Sequence, residues 1–441
     1  MPFTMRKPVA IIGGGIAGLT AALALRRRGV AVCLYEAGKK LAGLAASFHD
    51  EDGFTYDFGA HFITNRLAAA IGIGAQCRNV RHYGETVLLD GRAYSYPVGL
   101  LRIPRFSLSG LASRIKAVRS SSKPQSAAEW FEAEYGNALA NEVAIPLIEA
   151  WSGAPASELA PSVGDKIAGG IGHTLALKLA GHLTRRAVAS GYCREQPESI
   201  HVWHVYPEGG VSLLCEQIAD GLQDAVHLES PVEGIIVESQ RVAAIRVNGR
   251  EHEVSAVMST VPVHVLAKLV EGTTTVQHLA RFHYRPMVFV NMRFSGRNLL
   301  PDVVTWTPEK HLPFFRLTET PRSMPWLAPP DKTLVTVDIG CEVGDEVWKM
   351  ADEQLGEFCL EDLRSIIPDA QRRYLGCKAL RTPIAYPVFL NEYEQDRLAF
   401  ERSTEIDGLY SIGRNGEFAH VLMEDVYWRT LKKVRQLLAS L

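Results

Sequence analysis

The chain has 441 residues, with 47 lysines and arginines against 49 aspartates and glutamates and a formal net charge of −2. This near-neutral balance argues against a nucleic-acid partner, for which a basic footprint is expected. Seven cysteines lie scattered without zinc-site spacing, which favours free thiols in a reducing compartment over a disulfide framework or a metal centre. A chain this long exceeds the usual size of one core, so two joined domains are expected.

The sequence has no segment that is expected to cross a bilayer, because no run of about 18 apolar residues occurs. The first residues, Met1 to Pro8, are too short and too polar for a secretory signal. Together these features predict a cytoplasmic protein. Peripheral contact with a membrane stays open, because the basic stretch Leu175–Arg186 is partly amphipathic. For that stretch we favour a helix packed on its own domain with a solvated basic edge.

The rest of the chain is organised around a strand, a glycine cluster and a helix near the N-terminus. The apolar run Val9–Ile12 leads into Gly13, Gly15 and Gly18, which have the spacing GxGxxG. In this motif the first glycine allows a tight turn and the second lets a pyrophosphate approach the backbone. The third glycine lets the helix pack closely on the strand. The pattern is therefore typical of a dinucleotide-binding loop.

The residues around this loop support the same interpretation. A helix that begins at Ile16 and Ala17 presents free N–H groups and a positive dipole end to phosphates. A second apolar strand, Ala31–Tyr35, ends in Glu36, at the position from which an acidic side chain holds a ribose hydroxyl pair. A glycine-rich turn beside a surface glutamate is the plain alternative, and the strand–turn–helix–strand context argues against it. The sequence predicts a dinucleotide cofactor.

Two further segments resemble the flavoprotein superfamily of amine oxidases, protoporphyrinogen oxidases, phytoene-desaturase-like enzymes and UDP-galactopyranose mutases. The small-residue loop Ala37–Phe48 stands where that superfamily has its GG-loop. The run Gly53–Ile63 contains Asp57, Gly59 and His61, as in the superfamily's DxGxH strand, which reaches the flavin. The resemblance spans nearly the whole chain and is sharpest in the cofactor pieces. It implies FAD, held non-covalently.

The loop departs from the form found in amine oxidases. Ala42 and Gly43 stand for the Gly-Gly pair, and Leu44 occupies the place of the usual arginine. Amine oxidases also use a lysine linked through water to flavin N5, and no lysine is well placed in Arg281–Arg297. These departures favour the protoporphyrinogen-oxidase-like and mutase-like branches over true amine oxidation.

A second group of cofactor residues is expected near the C-terminus. A short apolar strand ends at Gly413 and Arg414, and a closing helix follows from Glu424, Asp425 and Val426. By resemblance, the glycine approaches the pyrophosphate and the helix N-terminus points at the flavin pyrimidine oxygen. There the helix dipole stabilises the negative charge of reduced flavin. The two carboxylates also fit N-terminal caps of the helix.

The resemblance assigns the FAD site residue by residue. The backbone of Val232 is expected against the adenine ring, after the YPxGG-like element Tyr206–Val211 has returned the chain to the cofactor domain. The full set of expected FAD-binding residues is Gly13, Gly15, Ile16, Ala17, Gly18, Glu36, Ala37, Lys40, Gly43, Leu44, Gly59, Ala60, His61, Val232, Gly413, Arg414, Glu424, Asp425 and Val426.

Catalytic side chains are marked less clearly by the sequence. His61 is the best candidate, because its strand is expected to end beside the isoalloxazine, although a structural role is equally compatible. Arg316, Arg381 and Tyr386 lie in segments expected near the substrate, with surface or packing roles as the alternative for each. Arg414 is expected to face either the pyrophosphate or an anionic ligand.

These observations predict an α/β fold. A Rossmann-like FAD-binding domain of the glutathione-reductase type is expected from residues 1–83, 201–271 and 400–441. It is interwoven with a mixed sheet-plus-helix substrate domain formed by residues 84–200 and 272–399.

The leading functional prediction is an FAD-dependent oxidoreductase, an oxidase or dehydrogenase, that removes a hydride from a small organic or isoprenoid-like molecule. A flavin-dependent isomerase of a nucleotide sugar, similar to UDP-galactopyranose mutase, is the alternative. His61, Tyr386 and Arg414 favour the mutase, whereas the segment Glu142–Lys166 resembles the substrate region of protoporphyrinogen oxidases. In a third hypothesis FAD is a structural prop in a binding protein, and the intact cofactor motifs argue against it. Substrate, electron acceptor and oligomeric state are left open.

Overall fold

A computed structural model describes the chain over residues 7–119, 123–166, 177, 181 and 186–440. Apart from Leu177, Gly181 and Arg186, the basic stretch Leu175–Arg186 therefore lies outside the described residues. The strands, in chain order, are β1 Val9–Ile12, β2 Val32–Tyr35, β3 Ser47–His49, β4 Thr55–Asp57, β5 Ile63–Thr64, β6 Cys77–Asn79, β7 Glu85–Leu89, β8 Arg92–Ser95, β9 His204–Pro207, β10 Val226–His227, β11 Val232–Glu238, β12 Arg241–Val247, β13 Arg250–Glu253, β14 Ala256–Ser259, β15 Val270–Glu271, β16 Tyr284–Ser295, β17 Val304–Trp306, β18 Arg316–Thr318, β19 Lys332–Gly340, β20 Tyr374–Pro387 and β21 Leu409–Ser411.

The α-helices in the described part of the chain connect these strands. Their bounds are Ile16–Arg26, Asn65–Ile71, Val98–Leu101, Pro104–Arg119, Ala127–Tyr135, Asn137–Leu139, Ile145–Ser152, Leu213–Ala219, Val263–Leu269, Thr320–Ser323, Glu346–Lys349, Asp352–Leu363, Ala370–Arg373, Glu394–Arg402, Gly413–Gly416 and Met423–Ser440. None of these helices combines the length and apolar character needed to cross a bilayer.

The N-terminal strand lies at the centre of a parallel sheet with the order β10-β2-β1-β14-β21. Val9 and Ile11 pack into one hydrophobic core, and Ala10 and Ile12 pack into another on the opposite face. Because both faces of the sheet are covered, its central strand is apolar throughout rather than alternating. The predicted buried strand is confirmed.

The glycine cluster makes the turn from this strand into its helix. Gly13 has a φ of +101°, and its N–H donates to the Tyr35 carbonyl at 2.8 Å. A Cβ at Gly18 would lie 1.9 Å from the Gly13 carbonyl oxygen, so only glycine allows this close contact. The predicted strand–turn–helix is confirmed, with the helix at Ile16–Arg26.

A larger sheet has the strand order β20-β16-β19-β18-β17-β7-β8, in which only β7 and β17 pair in parallel. The sequence alternates as a strand does over Met287–Phe294 and Leu334–Ile339, and both segments lie within the longer β16 and β19. Val288 and Val290 share a core with the helix Asp352–Leu363. The neighbouring Phe289 faces the other side of the sheet.

Local signals before and after this sheet match the structure closely. The hairpin between β7 and β8 turns at Asp90 and Gly91, a common hairpin dipeptide, and these residues have φ values of +50° and +71°. The sequence predicts helices over Leu111–Ser120 and Ala127–Tyr135. The second is observed with these bounds and is capped by the Ser126 hydroxyl, which accepts a bond from the Glu129 N–H at 3.3 Å. The first begins earlier, at Pro104, whose ring suits a first helical turn.

The chain passes repeatedly between the two sheets. Strands of the parallel sheet come from residues 9–35, 226–259 and 409–411, whereas the larger sheet is built from residues 85–95 and 284–387. The carboxyl ends of the parallel strands face the larger sheet across a shared cavity. The domain boundaries proposed above stay a prediction.

Candidate active site

A cavity of about 1670 Å³ lies where the parallel strands end. Its lining includes Gly13 after β1, Glu36 after β2, Thr260 after β14 and Gly413 after β21, together with residues of the larger sheet such as Phe289. Ligands of open α/β sheets bind at this carboxyl edge. Pockets for one small molecule are usually about 300–1,000 Å³, so the cavity has room for a cofactor and a second ligand.

The glycine loop opens onto the cavity in the way a pyrophosphate requires. A Cβ built at Gly15 would meet only the Ala42 carbonyl oxygen, at 3.9 Å, so the backbone here borders open space. The helix Ile16–Arg26 has no side-chain cap at its N-terminus and no acidic residue in its first turn. Its first N–H groups are therefore aimed at an anion.

Glu36 is held at the rim of the same end of the cavity. Its carboxylate oxygens accept backbone bonds from Gly14 and Gly38, each at 2.7 Å. Val232 and Pro231 line the wall nearby. A fixed carboxylate beside an apolar wall fits a ribose next to an adenine ring.

The loop that replaces the GG-loop keeps a glycine-like backbone. Ala42 has a φ of +89°, which is uncommon for a residue with a side chain, and Gly43 has a φ of +53°. The Ala42 N–H donates to the Gly14 carbonyl at 2.9 Å, and Leu44 lines the cavity. Lys40, by contrast, is exposed and does not line the cavity.

The C-terminal helix also begins at the cavity, where Met423, Asp425 and Val426 line the wall. Glu424 points elsewhere: it is buried and accepts a bond from the Thr64 hydroxyl at 2.7 Å.

The side chain of Asp425 likewise binds another segment rather than its own helix. It accepts backbone bonds from Arg194 and Glu195 at 2.7 and 3.1 Å. Both carboxylates stand in the first turn of the helix, where negative charge complements the helix dipole. Their role as N-terminal caps stays a prediction.

The structure brings most of the predicted site residues together. Those that line the cavity are Gly13, Gly15, Ile16, Ala17, Glu36, Ala37, Gly43, Leu44, Ala60, His61, Val232, Arg316, Arg381, Tyr386, Gly413, Arg414, Asp425 and Val426. Those that do not are Gly18, Lys40, Gly59 and Glu424. Gly18 and Gly59 instead fill tight contacts behind the wall.

His61 lies at the cavity wall beside a buried carboxylate. Its Nδ1 lies 3.4 Å from Oδ2 of Asp57, which is itself buried. The other Asp57 oxygen accepts a bond from the Ser47 hydroxyl at 2.6 Å, and the Tyr206 hydroxyl bonds the first. The His61 ring therefore lies beside a carboxylate that is held in place by Ser47 and Tyr206.

The charge of Arg316 is compensated within the protein. Its guanidinium forms an ion pair with Asp338, which is fully buried, and lies over the Trp306 ring at 5.5 Å. Burial by itself lowers the pKa of Arg316, but the attraction of the Asp338 carboxylate outweighs burial and raises it. Arg316 is therefore part of a neutral wall.

Arg414 differs, because no carboxylate among the described residues pairs with it. The guanidinium carbon lies 4.7 Å from the centre of the Tyr386 ring. Burial lowers the pKa of Arg414, and contact with Tyr386 only partly opposes this. A buried cation without a counter-ion is costly, so an anionic ligand is expected beside it.

Arg381, in contrast, donates to the Trp348 carbonyl at 2.9 Å and lies 3.7 Å from Asp352.

Three aromatic side chains that the sequence did not reveal, Tyr83, Tyr192 and His204, line the cavity and form an aromatic wall. Tyr192 packs edge-on against His204 at 4.2 Å between ring centres and against Tyr83 at 6.3 Å. Burial lowers the pKa of His204 to about 4 and raises the pKa of both tyrosines. All three side chains are therefore uncharged at neutral pH. No motif spacing connects them; the only sequence signal is a concentration of aromatic residues before the YPxGG-like element.

A second aromatic group lies near Arg414. Trp151 stacks on His420 at 4.1 Å and meets the Tyr386 ring edge-on at 4.8 Å. The larger sheet presents Phe289 to the cavity, and no lysine occurs among the described residues that line it.

The fold and this cavity define a class of protein: FAD-binding flavoproteins with a dinucleotide loop at the edge of a parallel sheet. Residues 16–427 match the family of flavin-containing amine oxidoreductases, and the chain belongs to this family. The predictions of FAD as cofactor and of an FAD-dependent oxidoreductase are confirmed at the level of the family.

Individual relatives show how far this similarity reaches. The chain is 37% identical over 60 residues to 4,4'-diaponeurosporene oxygenase of Staphylococcus aureus, a match to 14% of this chain that spans only 12% of that enzyme. Reduced UDP-galactopyranose mutase has a similar structure, with a TM-score of 0.79 and 17% identity, covering 99% of this chain and 96% of that one. A protein of Exiguobacterium sp. 255-15 provisionally named protoporphyrinogen oxidase has a TM-score of 0.75 and 18% identity, covering 99% of both chains. These structural likenesses show the fold.

Proposed function

We propose that the protein uses FAD to remove a hydride from a neutral, largely apolar substrate, oxidising or desaturating it. The observation that carries this proposal is the aromatic wall of Tyr83, Tyr192 and His204, which is uncharged at neutral pH. Such a wall stabilises an apolar ligand and excludes water. The partial similarity to a diaponeurosporene oxygenase is in keeping with an isoprenoid-like substrate.

In this proposal the predicted cofactor residues bind different parts of FAD. The Gly13–Ala17 loop binds the pyrophosphate, Glu36 binds the ribose and Val232 contacts the adenine. When bound, FAD supplies the hydride acceptor. The N-terminus of the helix Met423–Ser440 stabilises negative charge on the reduced ring.

The remaining side chains position the substrate and keep the site dry. Asp57 orients His61 at the wall, so that His61 contacts either the flavin edge or the substrate. The Arg316–Asp338 pair adds no net charge next to the substrate. Within the described lining no lysine serves as an amine-oxidase-type residue, and we therefore propose a substrate other than an amine.

Anaerobic reduction tests this proposal. The purified yellow holoprotein is mixed with isoprenoid and alicyclic compounds in detergent micelles, and loss of oxidised-flavin absorbance is followed. We expect one of these classes to reduce the flavin, and oxygen then distinguishes an oxidase, which reoxidises rapidly with peroxide release, from a dehydrogenase. A charge in the wall, Tyr192→Glu, should abolish reduction while Tyr192→Phe retains it, with flavin content showing that both fold. If amines alone reduce the flavin, the proposal is wrong.

A second candidate, an isomerase of a nucleotide sugar, is favoured by one observation. Arg414 offers a buried cation that suits a diphosphate. This candidate predicts that a uridine nucleotide binds the reduced protein and that turnover requires reduced flavin without net consumption of an oxidant. Absence of nucleotide binding in both redox states excludes it.

The cytoplasmic location also remains a prediction.

A further inference from the structure

We propose that the helix Pro104–Arg119 docks the protein on an anionic phospholipid surface, next to the mouth of the cavity. The docking surface consists of the exposed apolar side chains Val98, Leu108, Leu111 and Ile115 with the basic residues around them. That this surface delivers an apolar substrate rests on the function proposed above; the docking itself does not.

The apolar side chains of this helix face solvent rather than the core. Leu108, Leu111 and Ile115 are 65%, 59% and 50% exposed. Their spacing of three and four residues places them on one face of the helix. Phe106, on the opposite face, is buried in the protein. An ordinary surface helix has polar residues where this one has leucine and isoleucine.

The charge of the same segment complements an anionic surface. Residues 98–119 contain no acidic residue in a chain whose net charge is −2. Their basic residues are Arg102, Arg105, Arg114, Lys116 and Arg119. Arg102 and Arg114 are exposed, whereas Arg105 is exposed but already paired with Glu142 at 2.6 Å. An apolar face combined with basic side chains is the composition of helices that lie in a membrane interface.

This surface is continuous with the cavity. The short helix Val98–Leu101 packs against the helix Pro104–Arg119. Val98 is 39% exposed and also lines the cavity, together with Ser95 and Tyr96. An apolar molecule leaving a bilayer beneath Leu108 and Leu111 would thus meet the cavity wall at Val98.

A lipid surface fits these residues better than a second copy of the chain. A stable protein interface needs about 800 Å² on each partner and a core depleted of charge. Three exposed apolar side chains on one helix supply only part of such an area, and arginines lie among them. Insertion of a few apolar side chains, supported by basic residues, is how peripheral proteins bind anionic bilayers.

Vesicle sedimentation of the full-length holoprotein tests the proposal. Vesicles of phosphatidylcholine alone are compared with vesicles that also contain phosphatidylglycerol. We expect the protein to sediment with the anionic vesicles, in a salt-sensitive manner, and at least tenfold less with the neutral ones. The triple variant Leu108→Ser, Leu111→Ser and Ile115→Ser should lose at least tenfold in partitioning. The matched control, Val343→Ser with Leu375→Ser, changes exposed apolar side chains elsewhere and should bind like the wild type.

A charge-reversal variant gives a second, independent test of vesicle binding. One basic residue near an anionic surface contributes about fivefold to partitioning, so Arg114→Glu should weaken binding by more than tenfold. Arg250→Glu, at an exposed arginine of β13, should leave it nearly unchanged. Equal losses in test and control variants overturn the proposal, as does a triple variant that changes the oligomeric state while vesicle binding is unchanged. Because sedimentation does not depend on turnover, failure to find a substrate leaves this result intact.

Discussion

The guanidinium carbon of Arg414 lies 4.7 Å from the ring centre of Tyr386, at the wall of a cavity in which no described carboxylate pairs with it. The aromatic face offers partial compensation for the buried charge. An anion in the cavity would complete it. The relationship between these two residues therefore leads to the first prediction.

Replacing Arg414 by methionine should have opposite effects on the stability of the cofactor-free protein and on its affinity for an anionic ligand. Arg414→Met removes a buried cation and should stabilise the cofactor-free protein by about 1–3 kcal/mol. The same change should weaken binding of the anionic ligand at least tenfold. Titration of FAD and of a nucleoside diphosphate shows which of them loses affinity. The control Arg250→Met, at an exposed arginine of β13 that does not line the cavity, should change the affinity for neither ligand. Unchanged affinities in Arg414→Met would contradict the assignment of an anion to this position.

Two glycines of the loop should respond differently to alanine. A Cβ at Gly15 meets no protein atom closer than 3.9 Å, and its φ of −78° suits alanine. Gly15→Ala should therefore leave the stability of the cofactor-free protein unchanged but reduce FAD affinity at least tenfold, because the methyl group occupies cofactor space. In Gly18→Ala the methyl would lie 1.9 Å from the Gly13 carbonyl oxygen, so the cofactor-free protein itself should lose about 1–3 kcal/mol.

Thermal unfolding with and without FAD measures both effects. Gly74→Ala is the control, since nothing lies within 4 Å of its Cβ position. A Gly15→Ala protein that retains full FAD affinity would place the pyrophosphate elsewhere.

Removal of one partner of the buried ion pair of Arg316 and Asp338 should destabilise the protein more than removal of both partners. Asp338→Asn leaves an uncompensated cation in the wall and should lower the free energy of unfolding by about 3–5 kcal/mol. The double variant Arg316→Leu with Asp338→Leu should recover most of this loss. Glu253→Gln, at the exposed pair with Lys7, should cost less than about 1 kcal/mol. Denaturant unfolding of the four proteins checks this, and a double variant as unstable as Asp338→Asn would contradict it.

His204 should make stability depend on pH. Burial lowers its pKa to about 4 in the folded protein, from an ordinary value near 6.5 in the unfolded chain. Below pH 6.5 the unfolded state therefore takes up a proton that the folded state does not. The stabilising contribution is complete above pH 6.5 and is lost as the pH falls to about 4, by about 3 kcal/mol.

The variant His204→Phe isolates this contribution. Its free energy of unfolding should fall less than that of the wild type between pH 7 and pH 4. The same change at the exposed His278 should leave the pH profile as it is in the wild type. Parallel profiles for His204→Phe and the wild type would show that His204 is not the titrating group.

The cofactor end of the cavity could be predicted from the sequence because each of its parts is local. Gly13, Gly15 and Glu36 directly follow buried strands, and the position of a residue after a strand specifies its place at the sheet edge. The direction in which a side chain points is harder to predict from the sequence. Lys40 lies in the predicted cofactor loop, but its side chain is exposed. Glu424 lies at the start of the predicted cofactor helix, but its side chain binds Thr64.

The substrate end could not be predicted, because it is made by tertiary packing. Tyr83, Tyr192 and His204 come from separate segments that share no spacing and meet only through β9 and the loops beside it. Arg316 was expected near the substrate, but its neutralisation by Asp338 depends on the pairing of β18 with β19. The burial of both faces of β16 likewise depends on a helix far along the chain.

The order in which the parallel sheet is assembled has a consequence for synthesis on the ribosome. Strand β14 pairs with β1 on one side and with β21 on the other, and β21 lies at Leu409–Ser411. At about 5–20 residues per second, the first strand emerges roughly 20–80 seconds before its sheet can be completed. During that interval the nascent chain has open sheet edges and an unfinished loop for the pyrophosphate. Cofactor capture is therefore a late event, and a chain that stops before Leu409 leaves β14 as an open edge on which other chains can pair.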